Sequence, residues 1–328
     1  MRTVFSCLLT GIFLAIGSVV FADASFAQQS RSEVAASRIG TPFVWPDGVR
    51  AAEPAMALRI LAEASEATAS NVLRTSVGTV ASGRTQITHY IIMGGDRSRL
   101  FDDFTLAEGR WLTPAESRSS VATVSSARVG ARDNVGVPAV VNHRYDLTFA
   151  PLRHAFDALP TVGRYVVESA DPAATHRFLA IVRERLVEAG VPGLTPGELT
   201  DVPAEDSLEG GVSQAILAYV LTGLATLVVA VLCLREGKRI GVLRLMGHSA
   251  PRIWYQVVGK LQLSSTAVAL CALLVASFAV PDVDAPFLRT LAVPLVEVAA
   301  IGVAATTGVG LLVIRRVHIA DLVKGSLQ

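Results

Sequence analysis

The sequence predicts an α-helical membrane protein of four transmembrane helices, with an α+β extracytoplasmic domain inserted between the first and second spans. Three observations predict it. Mean hydropathy is +0.48, and 17% of the 328 residues are charged, below the roughly 25% usual in a soluble domain. Four apolar runs, residues 4–21, 215–234, 257–280 and 290–314, reach the about 18 residues needed to cross a bilayer. Basic residues flank these runs on one side: Arg2, then Arg235 to Arg244, then Arg315, Arg316 and Lys324. Positive charge next to a span favours the cytoplasmic side. Both termini are therefore expected in the cytosol, and residues 28–212 outside it.

Residues 1–27 form the first element. The apolar run follows Arg2 alone, and both Ala22-Asp23-Ala24 and Ser25-Phe26-Ala27 suit a signal-peptidase site. This element reads either as a retained span or as a cleaved signal peptide, and in both cases the next segment is exported. Residues 28–212 contain no run long enough to span and hold most of the acids, so they read as one external domain. Within it, Glu53-Pro54 opens a helix through about Arg74, with Leu58, Leu61, Ala64 and Val72 on one stripe, as a stalk would have. Residues 85–93 alternate, are rich in β-branched side chains and end at Gly94-Gly95, which predicts a strand and turn. Residues 121–125, 139–141 and 163–168 are shorter strand candidates. Asp171 then caps a helix with Pro172 in its first turn and Phe178, Val182, Leu186 and Ala189 on its stripe. Gly190 and Pro192 stop it. Residues 194–211, rich in proline, glycine and acids, read as a linker.

Residues 213–328 hold three closely spaced spans. Trp254 and Tyr255 suit the interfacial aromatic belt, and Lys260 sits where it can snorkel. Residues 281–289, with Asp282 and Asp284, make a brief external turn before the last span.

The chemistry concentrates in segment 235–256. Arg235, Lys238, Arg239 and Arg244 stand there beside a single acid, Glu236, and are mixed with Ile240, Val242 and Leu243. Ile240, Leu243, Arg244 and Gly247 recur at helical spacing, so a short helix, half apolar and half basic, is expected at the inner membrane surface. Such a helix is a docking surface. The bland alternative is a solvated positively charged loop. Glu297 lies inside the fourth apolar run. It reads either as an ion relay or intersubunit contact, or as a hydrated or protonated carboxyl near the outer interface beside Pro294. Gly302, Thr306 and Gly310 repeat every four residues, the small-residue spacing that lets membrane helices approach closely.

Other chemistry is missing. The formal net charge of +1 points to no nucleic-acid partner. Cys7, Cys233 and Cys271 all fall in apolar stretches and read as small buried side chains without disulfide or metal spacing. The six histidines are scattered. His143 and His154, the closest pair outside the spans, match no zinc pattern. No phosphate-binding Gly-x-x-x-x-Gly-Lys-Ser/Thr, His-Glu-x-x-His or Gly-x-Ser-x-Gly occurs. No catalytic, cofactor or metal residue is expected.

Three features together resemble the FtsX-like and MacB-like ABC-transporter permeases: the one-plus-three layout of spans, the segment from Arg235 to Gly247, and a tail with Arg315-Arg316 followed by residues 319–324. The stretch from Gly109-Arg110-Trp111 to Glu116, followed by a strand, is similar to a pattern in their external domains. The resemblance implies a dimer of identical or related permeases that binds two cytoplasmic ATPase subunits, which carry the ATP. It implies mechanotransmission, in which ATP hydrolysis moves the external domains to export or extract a peptide, lipoprotein or similar substrate, or to control an external hydrolase. It assigns Ile240, Leu243 and Arg244 to a groove of the ATPase, and Gly241 and Gly247 to the ends of the coupling helix. The chain departs from the family in two ways: only Met1 and Arg2 precede the first run, and the tail lacks the usual proline. The competing reading is a membrane-anchored extracytoplasmic receptor or scaffold without an ATPase, whose basic segment meets lipid headgroups.

Overall fold

A computed structural model describes residues 2–48, 51–80, 83–119, 121–191, 196–200, 214–280, 283 and 285–316. The chain divides into two compact units: residues 28–207, and residues 1–27 together with 208–328. Helix α1 (Arg2–Ile39) contributes to both.

The sheet unit continues with β1 (Thr41–Trp45), α2 (Pro54–Thr68), β2 (Asn71–Thr79) and β3 (Thr85–Met93). Next come β4 (Leu106–Gly109), α3 (Pro114–Ser119), β5 (Thr123–Ser125), β6 (Asn134–Pro138), β7 (Tyr145–Pro151) and β8 (Gly163–Glu168), then α4 (Pro172–Glu188) and α5 (Pro196–Thr200). The eight strands form one mixed sheet in the order β1-β8-β2-β3-β7-β5-β6-β4. Parallel pairing occurs at β3–β7 and β5–β6, and the other neighbours are antiparallel.

Alternation along the central strands feeds two cores, because successive strand side chains point to opposite faces. Val72, Ile92 and Val167 join Ile60 and Leu61 of α2 and Phe178 and Val182 of α4 on one face. Leu73, Ile91 and Val166 join Ala35 and Ala36 of α1 and Phe101, Leu147 and Phe149 on the other.

Strands β3 and β8 and helix α4 lie where the sequence predicts them, and the Asp171 side chain accepts from the Ala173 N–H as the α4 cap. Pro192 lies outside the described residues. The helix expected through Arg74 instead ends at Thr68. Ala69 takes the left-handed conformation at φ 48°, and residues 71–79 cross to pair with β3. Val72 fitted a helical stripe, but strand pairing on both sides decides its conformation. Helix α2 is no stalk: Ala57, Ile60, Leu61 and Ala64 are buried against the sheet. Residues 139–141 are not a strand either. They follow β6 and enter a 3₁₀ turn at Val141–His143. Of the expected linker, only residues 196–200 are described.

Burial of charge in this unit is compensated. Glu168, 4% exposed, accepts from Asn71 Nδ2 (3.0 Å), Ser98 Oγ (2.6 Å), the Arg99 N–H (2.7 Å) and Arg99 Nε (3.2 Å). Arg74 donates to the Pro160 and Val162 carbonyls and to the Tyr165 hydroxyl. A buried charge is tolerated only when paired in this way.

The second unit holds part of α1, then α6 (Gln214–Arg235), α7 (Gly237–Leu245), α8 (Ala250–Trp254), a π-helical turn at Tyr255–Gly259, α9 (Lys260–Ala279) and α10 (Ala285–Arg316). Four helical stretches among the described residues are long and apolar enough to cross a membrane: Thr3–Ile39, Ile216–Arg235, Ala250–Ala276 and Phe287–Arg315. The chain is a membrane protein with a separate sheet unit. Both candidate signal-peptidase sites fall inside α1. Leu9, Ile12 and Ile16 of α1, Val229 and Leu232 of α6, Val257 and Val298 form the interior. Large apolar side chains such as Val220, Leu227 and Leu274 face outward, as lipid exposure requires. Cys7 and Cys271 also face outward, so of the three cysteines only Cys233 is buried. Residues 281, 282, 284 and 317–328 lie outside the described residues. They include Asp282, Asp284, Lys324 and most of the family-like tail.

Candidate functional site

Segment 235–249 forms the short helix that its spacing predicts. Glu236 alone separates α6 from α7, and the hydrogen bonds Glu236 N–H to Leu232 O and Ile240 N–H to Glu236 O bridge it. At the other end, the Gly247 N–H donates to Arg244 O (2.9 Å) and the His248 N–H to Leu243 O (3.1 Å). Gly247 has φ +81°. This is a Schellman closure, in which a left-handed residue lets the chain double back to satisfy the last carbonyls. Glycine is needed there for its backbone, since a Cβ would meet nothing within 4 Å. Gly241 differs: it lies buried inside α7 and shapes neither end. Ser249 and Pro251 then open α8.

The helix is rotated relative to the docking face expected from sequence. Ile240 is fully buried, packed in the interior formed by α6, α10 and the helix after α7. Leu243 packs against the same cluster, and Arg244 is half-buried. The stripe at 240, 243 and 244 therefore anchors α7 to its own chain. The outward face carries Lys238 and Arg239 with Val242 (55% exposed), Leu245 (68%) and Met246 (70%). Positions 238, 242, 245 and 246 also fall at helical spacing, so this second stripe was available in the sequence. Nothing local distinguished the anchored stripe from the exposed one. Arg235 is exposed at the end of α6, and Arg239 Nη1 lies 3.5 Å from Glu236 Oε2. The result is an apolar strip of three side chains bordered by cationic ones.

The other singled-out residues lie elsewhere. Gly302, Thr306 and Gly310 face helices of the same chain. Thr306 Oγ1 accepts from Gln262 Nε2 (2.6 Å) and donates to Gly302 O (2.7 Å). A Cβ on Gly302 would sit 3.7 Å from Thr222 Cγ2 of α6. A Cβ on Gly310 would sit 2.9 Å from Trp254 Cδ1, and a Cβ on Gly259 would sit 2.9 Å from Cζ3 of the same indole. These glycines make a slot for Trp254, which is half-buried and held within the bundle. Tyr255 is exposed, and Lys260 Nζ lies 5.8 Å from its ring centroid. Glu297 sits on the exposed surface of α10, has no ion pair among the described residues, and is not brought together with α7.

In the sheet unit, the Gly109–Glu116 stretch is a structural staple. Arg110 forms a two-pronged pair with Glu116 (2.7 and 2.6 Å). Thr113 and Glu116 exchange side-chain and backbone hydrogen bonds as a capping box for α3. Trp111 stacks on Phe101 at 4.6 Å. Hydrogen bonding from Arg110 holds the Glu116 carboxyl down at about 2. No group of three or more His, Cys, Asp or Glu side chains that could hold a metal occurs among the described residues.

No protein-family model matches the chain, and no curated protein matches it.

Proposed function

We propose that the chain is the permease subunit of an ABC transporter of the mechanotransmission type, working with a separate cytoplasmic ATPase. The observation that carries this reading is α7. It is a short helix between two candidate spans, anchored by Ile240 and Leu243, and it presents Val242, Leu245 and Met246 beside Lys238 and Arg239. An apolar strip with a cationic border suits a protein groove better than solvent, because exposed apolar clusters mark interaction sites. The positive-inside bias supports a cytosolic position for α7 and an extracytoplasmic one for the sheet unit, in a bacterial inner membrane with both termini inside. In this reading two permease copies, identical or related, embrace two ATPases. ATP stays on the ATPases, and hydrolysis there moves the sheet units of the permeases to handle a peptide, lipoprotein or similar substrate or an external hydrolase.

The test is affinity purification of the tagged full chain from membranes in mild detergent, followed by mass spectrometry. A P-loop ATPase is expected to co-purify. Val242→Glu with Leu245→Glu is expected to reduce its recovery at least tenfold at an unchanged membrane level. Absence of any ATPase, even after crosslinking, overturns the transporter reading in favour of a receptor or scaffold.

A further inference from the structure

The sheet unit contains a cleft of about 750 Å³, within the range of small-molecule sites. It lies between the end of α1, the first residue of β1, helix α4 and α5. Helix α4 buries Ala174, Phe178, Val182 and Leu186 against the sheet. Its other face, at His176, Leu179, Ala180 and Arg183, lines the cleft. Ile39 and Leu199 add apolar lining, and Arg38, in the last turn of α1, adds a second cation.

Among the described residues, the charges lining the cleft do not cancel. Arg99 also lines it, but Glu168 neutralises this guanidinium, which the Ile39 carbonyl fixes in place (2.7 Å). Asp171 is committed to capping α4 through the Ala173 N–H. Arg38 and Arg183 have no ion pair among the described residues. Two cations therefore face an apolar-lined space, with His176 one helical turn from Leu179 and Ala180. Guanidinium groups bind carboxylates through paired N–H donors, and apolar lining retains the body attached to such a group.

We propose that this cleft binds a small amphipathic carboxylate, with Arg38 and Arg183 holding the carboxylate and Leu179 and Ile39 holding its apolar body. The proposal does not depend on what docks on α7. The probe is N-dansyl-leucine, titrated by fluorescence into the full chain in lipid nanodiscs, with empty nanodiscs subtracted. N-dansyl-leucinamide serves as the neutral twin.

Saturable binding of the acid, at least tenfold tighter than the amide, is expected. Arg38→Ala with Arg183→Ala should weaken it at least tenfold while leaving the melting temperature unchanged, since both side chains are exposed. Leu179→Ala should weaken acid and amide by the same factor. Equal binding of acid and amide, no saturable binding of the acid, or an unchanged affinity in the double variant would each overturn the proposal.

Discussion

At the scale of single residues, His89 is the most consequential ionisable group in the sheet unit. It is fully buried between Phe104 and Phe149, and its Nδ1 lies 2.9 Å from Thr75 Oγ1. Burial lowers its pKa from 6.5 to about 4, with the Ser32 backbone offsetting part of the shift. The unfolded chain therefore takes up this proton first as pH falls. Stability is complete above the unfolded value of 6.5 and declines toward pH 4, by up to about 3 kcal/mol at 1.36 kcal/mol per pKa unit. His89→Phe is expected to flatten the dependence of chemical-denaturation stability on pH in this window, even if its stability at pH 7 is lower. An unchanged slope would refute the assignment. Glu116 acts lower on the same scale: its folded value is depressed from 4.5 to about 2, so its contribution is present above 4.5 and is lost as pH falls toward 2. Glu116→Gln should remove that acid limb without altering the His89 window. The staple could be read in the sequence only as a resemblance. The spacing of Thr113 and Glu116 is the local signature of a capping box, but nothing in it announced the pair with Arg110.

At the scale of elements, periodicity told more about where helices form than about which way they face. The stripe at Ile240, Leu243 and Arg244 is a helix face, and it turns inward because α6 and the helices after α7 offer an apolar cradle there. Orientation is a tertiary property, so the exposed strip at Val242, Leu245 and Met246 had to wait for the packing. Strands β3 and β8 were legible because β-branched runs bounded by glycine admit little else. Strand β2 was hidden, since its first residues continued the stripe of α2 and only Ala69 breaks the helix. In the bundle, Gly310 tests the slot for Trp254. Adding a methyl group 2.9 Å from Cδ1 and 3.0 Å from Nε1 forces the indole to move, a cost of about 1–3 kcal/mol for overpacking. Gly310→Ala should lower the melting temperature in detergent, and Trp254→Phe should recover part of the loss in the double variant. If the single variant melts as the parent does, the slot is not tight.

At the scale of the whole molecule, the proposed topology makes a labelling prediction. In a chain with Cys7, Cys233 and Cys271 replaced by alanine, a cysteine at Ser249 should react with a membrane-impermeant maleimide only after the cells are opened. A cysteine at Arg97 should react in intact spheroplasts, and the reverse pattern would invert the topology. The two-unit division was legible because apolar runs flank a long polar interval. The internal order of the sheet was not, because it depends on partners far apart in sequence. That order also constrains the timing of folding. Strand β8, the last to be synthesised, lies between β1 and β2, so the two earliest strands gain their common neighbour only once residue 168 has emerged. At about 5–20 residues per second, the 117 residues between the end of β1 at Trp45 and the start of β8 at Gly163 take about 6–23 seconds to make. During that interval the edges of β1 and β2 await their partner, a period in which a chaperone that holds extended chains would find its substrate.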